Sequence, residues 1–433
     1  MQQQGVVTLD VTLDRQEQAV TLAGGTALSL TSTQLRWSTS GTSNASVEVN
    51  DLLGCSALDA PPRLVLHAAP KGVAKCFGPA APKRVRQDHT LKCDSFEQAT
   101  NARAAVVSHI RPPQQGNGGG TWLVLINPFG GGGKAPRVWK ELEKLVEVVG
   151  LTCEIVRTTH AGHAREIGQS LTLGKYDGIL SVSGDGLLNE LVNGLMARPD
   201  AAAAAAATVL FPAPGGTGNG LFRSICARSG EAADLLGAAM IIARGRATPL
   251  DLWQYISPSA ESAAAASDGA AADIEAGGTS SQSGNLIAWS FLSFSWGIVS
   301  DVDIESEALR SLGALRFTLW ALWRVLTFRT YSGTLHYLDA HSGEWKRMES
   351  SKFVGIWACN VPYMSMTDYA APQAEFDNGA LDLLVMVNTN RVQVPCSPPP
   401  SLHLVDASSP PLRPTATLLA HSAVHTFSCS SRC

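Results

Sequence analysis

The period of the apolar positions changes twice along the chain. Residues 6–13 and 18–22 alternate apolar with polar side chains, the pattern of half-buried strands, and turn residues punctuate the stretch 1–110. That stretch reads as a small β-rich extension. From Trp122 the pattern differs: residues 122–126 are a continuous apolar run, as expected of a strand covered on both faces. Pro136 then opens a helix that sets Val138, Leu142, Leu145, Val146 and Val149 on one stripe. Strands are predicted over 151–156, 179–182 and 209–211, and a helix over 163–171. Leu187, Leu188, Leu191, Val192 and Leu195 give a further helix its apolar face. Strands alternating with helices predict a parallel sheet covered by helices.

After Asp251 strands dominate, at 291–296, 334–338, 353–358 and 381–387. One helix is predicted among them, with Leu315, Leu319, Leu322, Trp323 and Leu326 as a broad apolar face. The predicted organisation is a β-rich extension over 1–110, an α/β domain over 120–250, and a mostly antiparallel β domain over 251–390. Residues 111–120 read as a linker. Residues 201–207 and 259–284 are low-complexity insertions for which no structure is predicted. The Pro/Ser-rich stretch 391–433 has no periodicity and reads as disordered or foreign to the fold.

Composition narrows the function classes. The 433 residues are 45% hydrophobic and carry a formal net charge of -4, so no nucleic-acid partner held by phosphate attraction is expected. The nine cysteines form no CxxC pair, and no N-terminal signal sequence is evident, which predicts a reducing, cytoplasmic setting. No apolar run approaches the roughly 20 residues that span a bilayer. A protein that is soluble or rests on a membrane surface is therefore expected. The basic run Lys83-Arg84-Val85-Arg86 is a solvated loop or a weak lipid-headgroup contact.

Three glycine-rich segments carry the chemistry. Asn127-Pro128-Phe129 runs into Gly130-Gly131-Gly132-Gly133-Lys134 after the first buried strand. This is not the common P-loop, because Pro128 and Ala135 stand where that motif needs glycine and Ser/Thr. It reads as a linker or a phosphate cradle, and its place between strand and helix favours the cradle. Ser183-Gly184-Asp185-Gly186 and Pro214-Gly215-Gly216-Thr217-Gly218-Asn219 occupy equivalent turns. Asp185 has two readings: a helix cap, or a carboxylate that takes a proton from an attacking hydroxyl or orders magnesium. Asp301, Asp303, Glu305 and Glu307 form an acidic block beside an apolar helix, either a solvated edge or a receptor for a cationic, hydroxylated head with a long tail. Arg310 and Arg316 follow, and the guanidinium fork suits phosphate.

Residues 127–135, 183–195 and 214–219 resemble the three nucleotide-site motifs of the diacylglycerol-kinase-like lipid kinases. The run from Trp296 to Leu319, with Arg329-Thr330-Tyr331-Ser332-Gly333, is similar to sphingosine kinases in particular. The likeness spans about residues 120–390. It implies an α/β N-terminal nucleotide-binding domain plus a mostly antiparallel β-sandwich C-terminal lipid-binding domain, with the active site between them. It implies ATP contacts at Asn127, Pro128, Gly130, Gly131, Gly133, Lys134, Thr158, His163, Ser183, Gly184, Gly186, Gly216, Thr217, Arg310 and Arg316. Asp185 matches the catalytic base, and Asp303 and Glu307 match the head-group site. The implied cofactors are ATP and Mg2+, with no metal ligand assigned. The implied partners are a sphingoid lipid substrate and a peripheral membrane surface. Ceramide or diacylglycerol kinase activity, a non-catalytic lipid-binding role and NAD kinase activity are the alternatives. Two departures stand out. Gly132 replaces a lysine common in animal members, and the late Asp-Gly-Glu segment of sphingosine kinases is not found after Asn388.

Overall fold

The structure is a computed structural model. It describes residues 18–22, 26–38, 45–72, 81–110, 120–244, 247–257, 286–306, 309, 315–327, 329–340, 342–387, 402–405 and 419–420. The strand expected at 6–13, residues 111–119 of the linker and the insertion 259–284 lie outside the described residues, as does most of the tail.

The chain divides into two compact units. The first comprises residues up to Gln114 together with Lys144–Leu151 and Ala239–Gly245. Its strands β1 (Gln18–Thr21), β2 (Ala27–Leu30), β3 (Gln34–Ser38) and β4 (Ala45–Glu48) form one antiparallel sheet. A second is built from β5 (Leu52–Leu58), β6 (Arg63–Ala68) and β7 (Gln87–Lys92), followed by helix α1 (Phe96–Ile110). Strand alternation sends Leu28, Leu30, Leu35 and Trp37 inward to meet Leu64 and Leu66. Ala99, Ala102 and Val106 recur at helical spacing on α1 and close the same core.

The second unit begins with the predicted parallel sheet. Its elements run β8 (Thr121–Ile126), the single turn α2 (Gly130–Gly133), α3 (Ala135–Val149, whose last turns cluster with the first unit), β9 (Thr152–Arg157), α4 (His163–Ser170), β10 (Gly178–Ser183), α5 (Asp185–Met196), α6 (Ala201–Ala207), β11 (Leu210–Pro214), α7 (Gly220–Arg228) and α8 (Leu235–Arg244, most of which clusters with the first unit). The strand order is β11-β10-β8-β9, all parallel. All of β10 and all but the first residue of β8 are buried; β8 is an unbroken apolar run after Thr121, whereas β10 also buries Ser181 and Ser183. The alanine run 201–207 departs from expectation by forming α6. Alanine is the best helix former, and Ala204 and Ala205 find burial there.

The later elements are β12 (Asp251–Ser257), β13 (Leu286–Ser290), β14 (Ser293–Gly297), α9 (Ile298–Glu305), α10 (Leu315–Thr327), β15 (Tyr331–Leu338), β16 (Trp345–Cys359), β17 (Ala380–Val387), β18 (Leu402–Val405) and β19 (Leu419–Ala420). They make antiparallel sheets: β12 with β13, and β14, β15 and β17 around β16. Within the tail, β18 adds antiparallel to β17 and β19 adds parallel to β12. Among the described residues two helices, where one is expected, lie between β14 and β15, because Asp301, Asp303 and Glu305 of the acidic block fall in α9.

One core joins these sheets to the parallel one. Leu123, Ile179, Leu188 and Leu191 pack in the same cluster as Leu252, Phe291, Cys359 and Val361. A half-buried amide, Asn193, pins the join, and a buried one, Asn360, ties the later elements to one another. Asn193 of α5 donates to Trp289 O at 2.9 Å and accepts from Trp289 N at 2.9 Å. Asn360 donates to Asp251 O at 2.9 Å and Phe291 O at 2.8 Å, and accepts from Trp253 Nε1 at 2.8 Å. A buried amide satisfied on both sides is costly to replace, because truncation strands its partners.

The first unit hides a polar chain. Ser56 Oγ lies 2.9 Å from His67 Nε2, and His67 Nδ1 lies 2.9 Å from Asp88 Oδ1. Arg86 is bonded to Asp88 through Nε at 3.0 Å. Burial pushes the His67 imidazole below its ordinary value, outweighing the opposing pull of Asp88. His67 is thus favoured neutral in the folded state, while the unfolded chain takes up a proton near pH 6.5. Stability is therefore full above about pH 6.5 and is lost as pH falls towards the depressed folded value. Full-length protein should melt lower at pH 5.5 than at pH 7.5, and His67→Gln should shrink that difference. Equal pH sensitivity in the two proteins, by thermal unfolding, would remove His67 as its source.

Candidate active site

Three strand-to-helix turns leave the carboxyl ends of adjacent strands β8, β10 and β11, where open parallel sheets bind ligands. In the first, Gly131, Gly132 and Gly133 take left-handed φ values of 60°, 71° and 83°, which favour glycine. The turns touch at backbone distance. A Cβ on Gly131 would lie 2.6 Å from Gly215 O, and one on Gly130 would lie 2.9 Å from Ser183 Oγ. A Cβ on Gly216 would fall 2.1 Å from Gly184 Cα. Backbone bonds complete the joint: Gly215 N donates to Ser183 O at 3.1 Å, and Asp185 N to Gly218 O at 3.2 Å. Asn127 fastens the first turn, its Oδ1 accepting from Phe129 N at 3.0 Å and its carbonyl from Gly130 N at 2.9 Å.

Asp185 begins α5 beside this joint. Its Oδ2 accepts from Gly220 N at 2.7 Å and its Oδ1 from Leu221 N at 3.2 Å, the first two amides of α7. The carboxylate therefore caps α7 rather than its own helix. Asn219, at the usual capping position of α7, turns back instead: it donates to Gly216 O at 2.9 Å and accepts from Gly216 N at 3.3 Å. Burial pushes the Asp185 carboxyl above its ordinary value, and the two α7 amides offset part of that rise. An ionised carboxylate has lone pairs beyond the two used here, so Asp185 can still accept a proton or a hydroxyl hydrogen bond.

The other expected nucleotide residues fall around the same turns. Ser183 and Gly130 are buried beneath them, while Lys134, Gly186 and Thr217 are exposed. Pro128 and Gly184 are half-buried. Thr158 is buried at the end of β9, its N–H donating to Ile126 O at 2.9 Å. His163 opens α4, and its Nδ1 lies 3.2 Å from Thr159 N. The acidic block sits elsewhere in the unit. Asp303 is on α9 and Arg316 on α10, while Glu307 and Arg310 lie outside the described residues. Gly297, where α9 begins, is four strand positions, about 13 Å, from Ser293, which pairs with Cys359.

Several residues here escaped the sequence reading. Glu190 of α5 accepts from Gly162 N at 3.1 Å and so holds the β9–α4 turn. Tyr363 and Met364 follow β16 and press on the start of α7: a Cβ on Gly220 would lie 2.6 Å from Tyr363 O. Ser224 Oγ accepts from Tyr363 N at 3.0 Å, and the Arg223 guanidinium stands 4.2 Å from the Tyr363 ring centre. The turn carrying Asp185 is thus buttressed by the later sheets. Nothing in the local sequence at 363–364 signals that contact.

Residues 121–255 match the diacylglycerol kinase catalytic domain family. That stretch holds all three glycine turns and Asp185. The chain is similar to sphingosine kinases. Sphingosine kinase 1 of Arabidopsis thaliana is 32% identical over 299 residues, covering 61% of this chain and 56% of that protein. Sphingosine kinase 2 of Homo sapiens is 38% identical over 224 residues, 50% of this chain and 30% of that protein. Sphingosine kinase 1 of Mus musculus is 35% identical over 235 residues, 53% of this chain and 55% of that protein. The chain spans little more than half the length of the Arabidopsis and mouse relatives. A crystal structure described as a diacylglycerol kinase from Bacillus anthracis aligns with 63% of this chain and 75% of that one, at 19% identity and a TM-score of 0.42.

The joint makes a graded prediction. Gly216→Ala forces a Cβ into backbone and should destabilise the protein by about 1–3 kcal/mol. Gly186→Ala meets nothing within 4 Å and should leave the unfolding midpoint unchanged. Urea unfolding of both variants checks this, and equal midpoints would mean the turns part freely.

Proposed function

We propose that this chain is an ATP- and magnesium-dependent lipid kinase that phosphorylates the primary hydroxyl of sphingosine or a related long-chain base. The observation that carries the reading is a partly buried carboxylate, Asp185, fixed where three glycine turns meet. ATP phosphates would lie against the backbone of Gly130, Gly131 and Gly133, with Asn127, Pro128, Lys134, Ser183, Gly184, Gly186, Gly216 and Thr217 around them. Thr158 and His163 border the same side, and Arg310 and Arg316 would neutralise phosphate charge. Among the described residues no three His, Cys, Asp or Glu side chains gather as a metal cage. Magnesium would instead arrive on the nucleotide phosphates, with Asp185 as the carboxylate set among the glycine turns. Bound there, the ion would supply charge neutralisation on the transferring phosphoryl group.

Asp185 takes the proton as the lipid hydroxyl oxygen bonds to the γ-phosphorus, while the bond from that phosphorus to the β–γ bridging oxygen breaks and ADP leaves. Its raised pKa makes it a better base than an exposed aspartate, and the α7 amides hold its oxygens in place. The long-chain base presents an amine beside that hydroxyl. Asp301 and Glu305 are engaged by Tyr331 and Arg324, and Asp303 and Glu307 are the acids that the resemblance assigns to the amine. Ceramide and diacylglycerol lack a free amine, so the acids favour the sphingoid base.

The lipid would be reached at a membrane surface. No helix among the described residues is long and apolar enough to cross a membrane. Yet α10 exposes Leu319, Leu322, Trp323 and Leu326 at 43%, 59%, 54% and 59%, and α9 exposes Ile304 at 70%. An apolar face of this kind suits peripheral insertion.

Two experiments test the reading. Asp185→Asn should lower sphingosine turnover by roughly 10²–10⁴-fold. Asparagine keeps an acceptor for one α7 amide but sets its NH2 against the other, so the variant should fold and melt somewhat lower than wild type. Near-normal turnover would exclude Asp185 as the base, and competition among sphingosine, ceramide and diacylglycerol identifies the acceptor. Leu322→Ser combined with Trp323→Ser should reduce co-sedimentation with phosphatidylcholine–phosphatidylserine vesicles. Undiminished sedimentation would take the α10 face out of membrane contact.

A further inference from the structure

Arg324 lies on the inward side of α10, only 8% exposed, while Leu322, Trp323 and Leu326 on the same helix stand in solvent. Its Nε donates to Glu305 Oε2 at 2.6 Å and its Nη2 donates to Glu305 Oε1, so the guanidinium grips both carboxylate oxygens. Trp320 Nε1 donates to the same Oε2 at 2.8 Å. Arg324 Nε is also 3.8 Å from Asp301 Oδ2, which accepts a hydrogen bond from the Tyr331 hydroxyl. Arg329 Nη1 approaches that oxygen to 4.0 Å. The Arg324 bond, then that from Trp320, holds the Glu305 carboxyl below its ordinary range, and Glu305 in turn raises Arg324.

Asp301 and Glu305 are four residues apart on α9 and so share a face. Arg324 addresses both. Position 303 lies between them on the same turn, so fixing the two flanking acids fixes the backbone from which Asp303 projects. Stability alone is a poor reason for such a pair, since the Glu305 side chain is 32% exposed and a solvent-screened ion pair contributes little to stability. A lysine could not reproduce the two-pronged grip.

We propose that Arg324 is a positioning residue that clamps α9 to α10, so that the apolar face of α10, seated on a lipid surface, sets the place of the acid at position 303. The inference rests on the lipid-kinase reading for its consequence, though the clamp is a property of the fold itself. The lipid-facing helix and the helix bearing the head-group acid then move as one body. A substrate amine meets Asp303 in register only while that body is intact.

The test uses full-length protein, with Arg324→Leu, Arg324→Lys and Glu305→Gln. Hydrogen–deuterium exchange and sphingosine kinetics on phosphatidylcholine–phosphatidylserine vesicles are read together. Loss of the clamp should speed exchange across residues 298–305 and lower kcat/KM for sphingosine by up to roughly 10²-fold, the scale of a displacement of about 1 Å. KM for ATP should stay within about twofold, a split that general unfolding would not produce. Arg324→Lys should restore little, because one ammonium cannot hold both oxygens. Should Arg324→Leu fail to fold, Glu305→Gln carries the same readouts with its packing kept. Unchanged exchange across 298–305 overturns the clamp, and faster exchange with unchanged sphingosine kcat/KM overturns its positioning role. If wild type turns over no sphingosine, the kinase reading falls separately. Vesicles must then still slow exchange across 298–305 in wild type but not in Glu305→Gln, and the absence of that difference overturns the proposal.

Discussion

Three turns can meet at backbone contact only where the touching residues lack a Cβ, and much of the candidate site follows from that steric fact. Gly216 against Gly184, Gly131 against Gly215 and Gly130 against Ser183 leave no room for a methyl group. The close approach brings the ends of β8, β10 and β11 together and lets Asp185 reach across to the amides of α7. The same absence of side chains leaves main-chain groups at the surface of the joint. A bulkier turn would bury those groups beneath its own atoms and push the carboxylate away from α7.

The parallel sheet was legible because its signal is local. An unbroken apolar run marked β8, a shorter, mostly apolar one marked β10, and glycine-rich turns fell between those strands and the following helices. The three turns could be placed for the same reason. The partner of Asp185 could not: the capping reading looked to α5, whereas the carboxylate serves α7, 35 residues downstream. The alanine run 201–207 was set aside on composition, yet a helix of small residues buries well when a neighbour is offered. The acidic block was ambiguous because alternating acids fit a strand edge as well as a helix start. Its resolution into α9 came from Arg324, some twenty residues away, which no window of local periodicity contains.

Polar side chains in the interior do the joining that hydrophobic contact leaves loose. Asn193 and Asn360 each satisfy backbone groups on an element distant in sequence, and together they fix the later strands to α5 and β12. Ser224 and Arg223 do likewise for the segment at Tyr363. Apolar surfaces tolerate sliding, whereas a paired amide has one geometry. Such residues suit a structure in which a turn must be held to a fraction of an ångström.

The capping of α7 by Asp185 carries one more consequence. The start of a helix ordinarily draws anions, but here a built-in anion already occupies it. The first two amides of α7 are thus spent within the chain. Any anion that binds at the joint must be met by other donors, and those two amides stay out of its reach while the carboxylate is ionised.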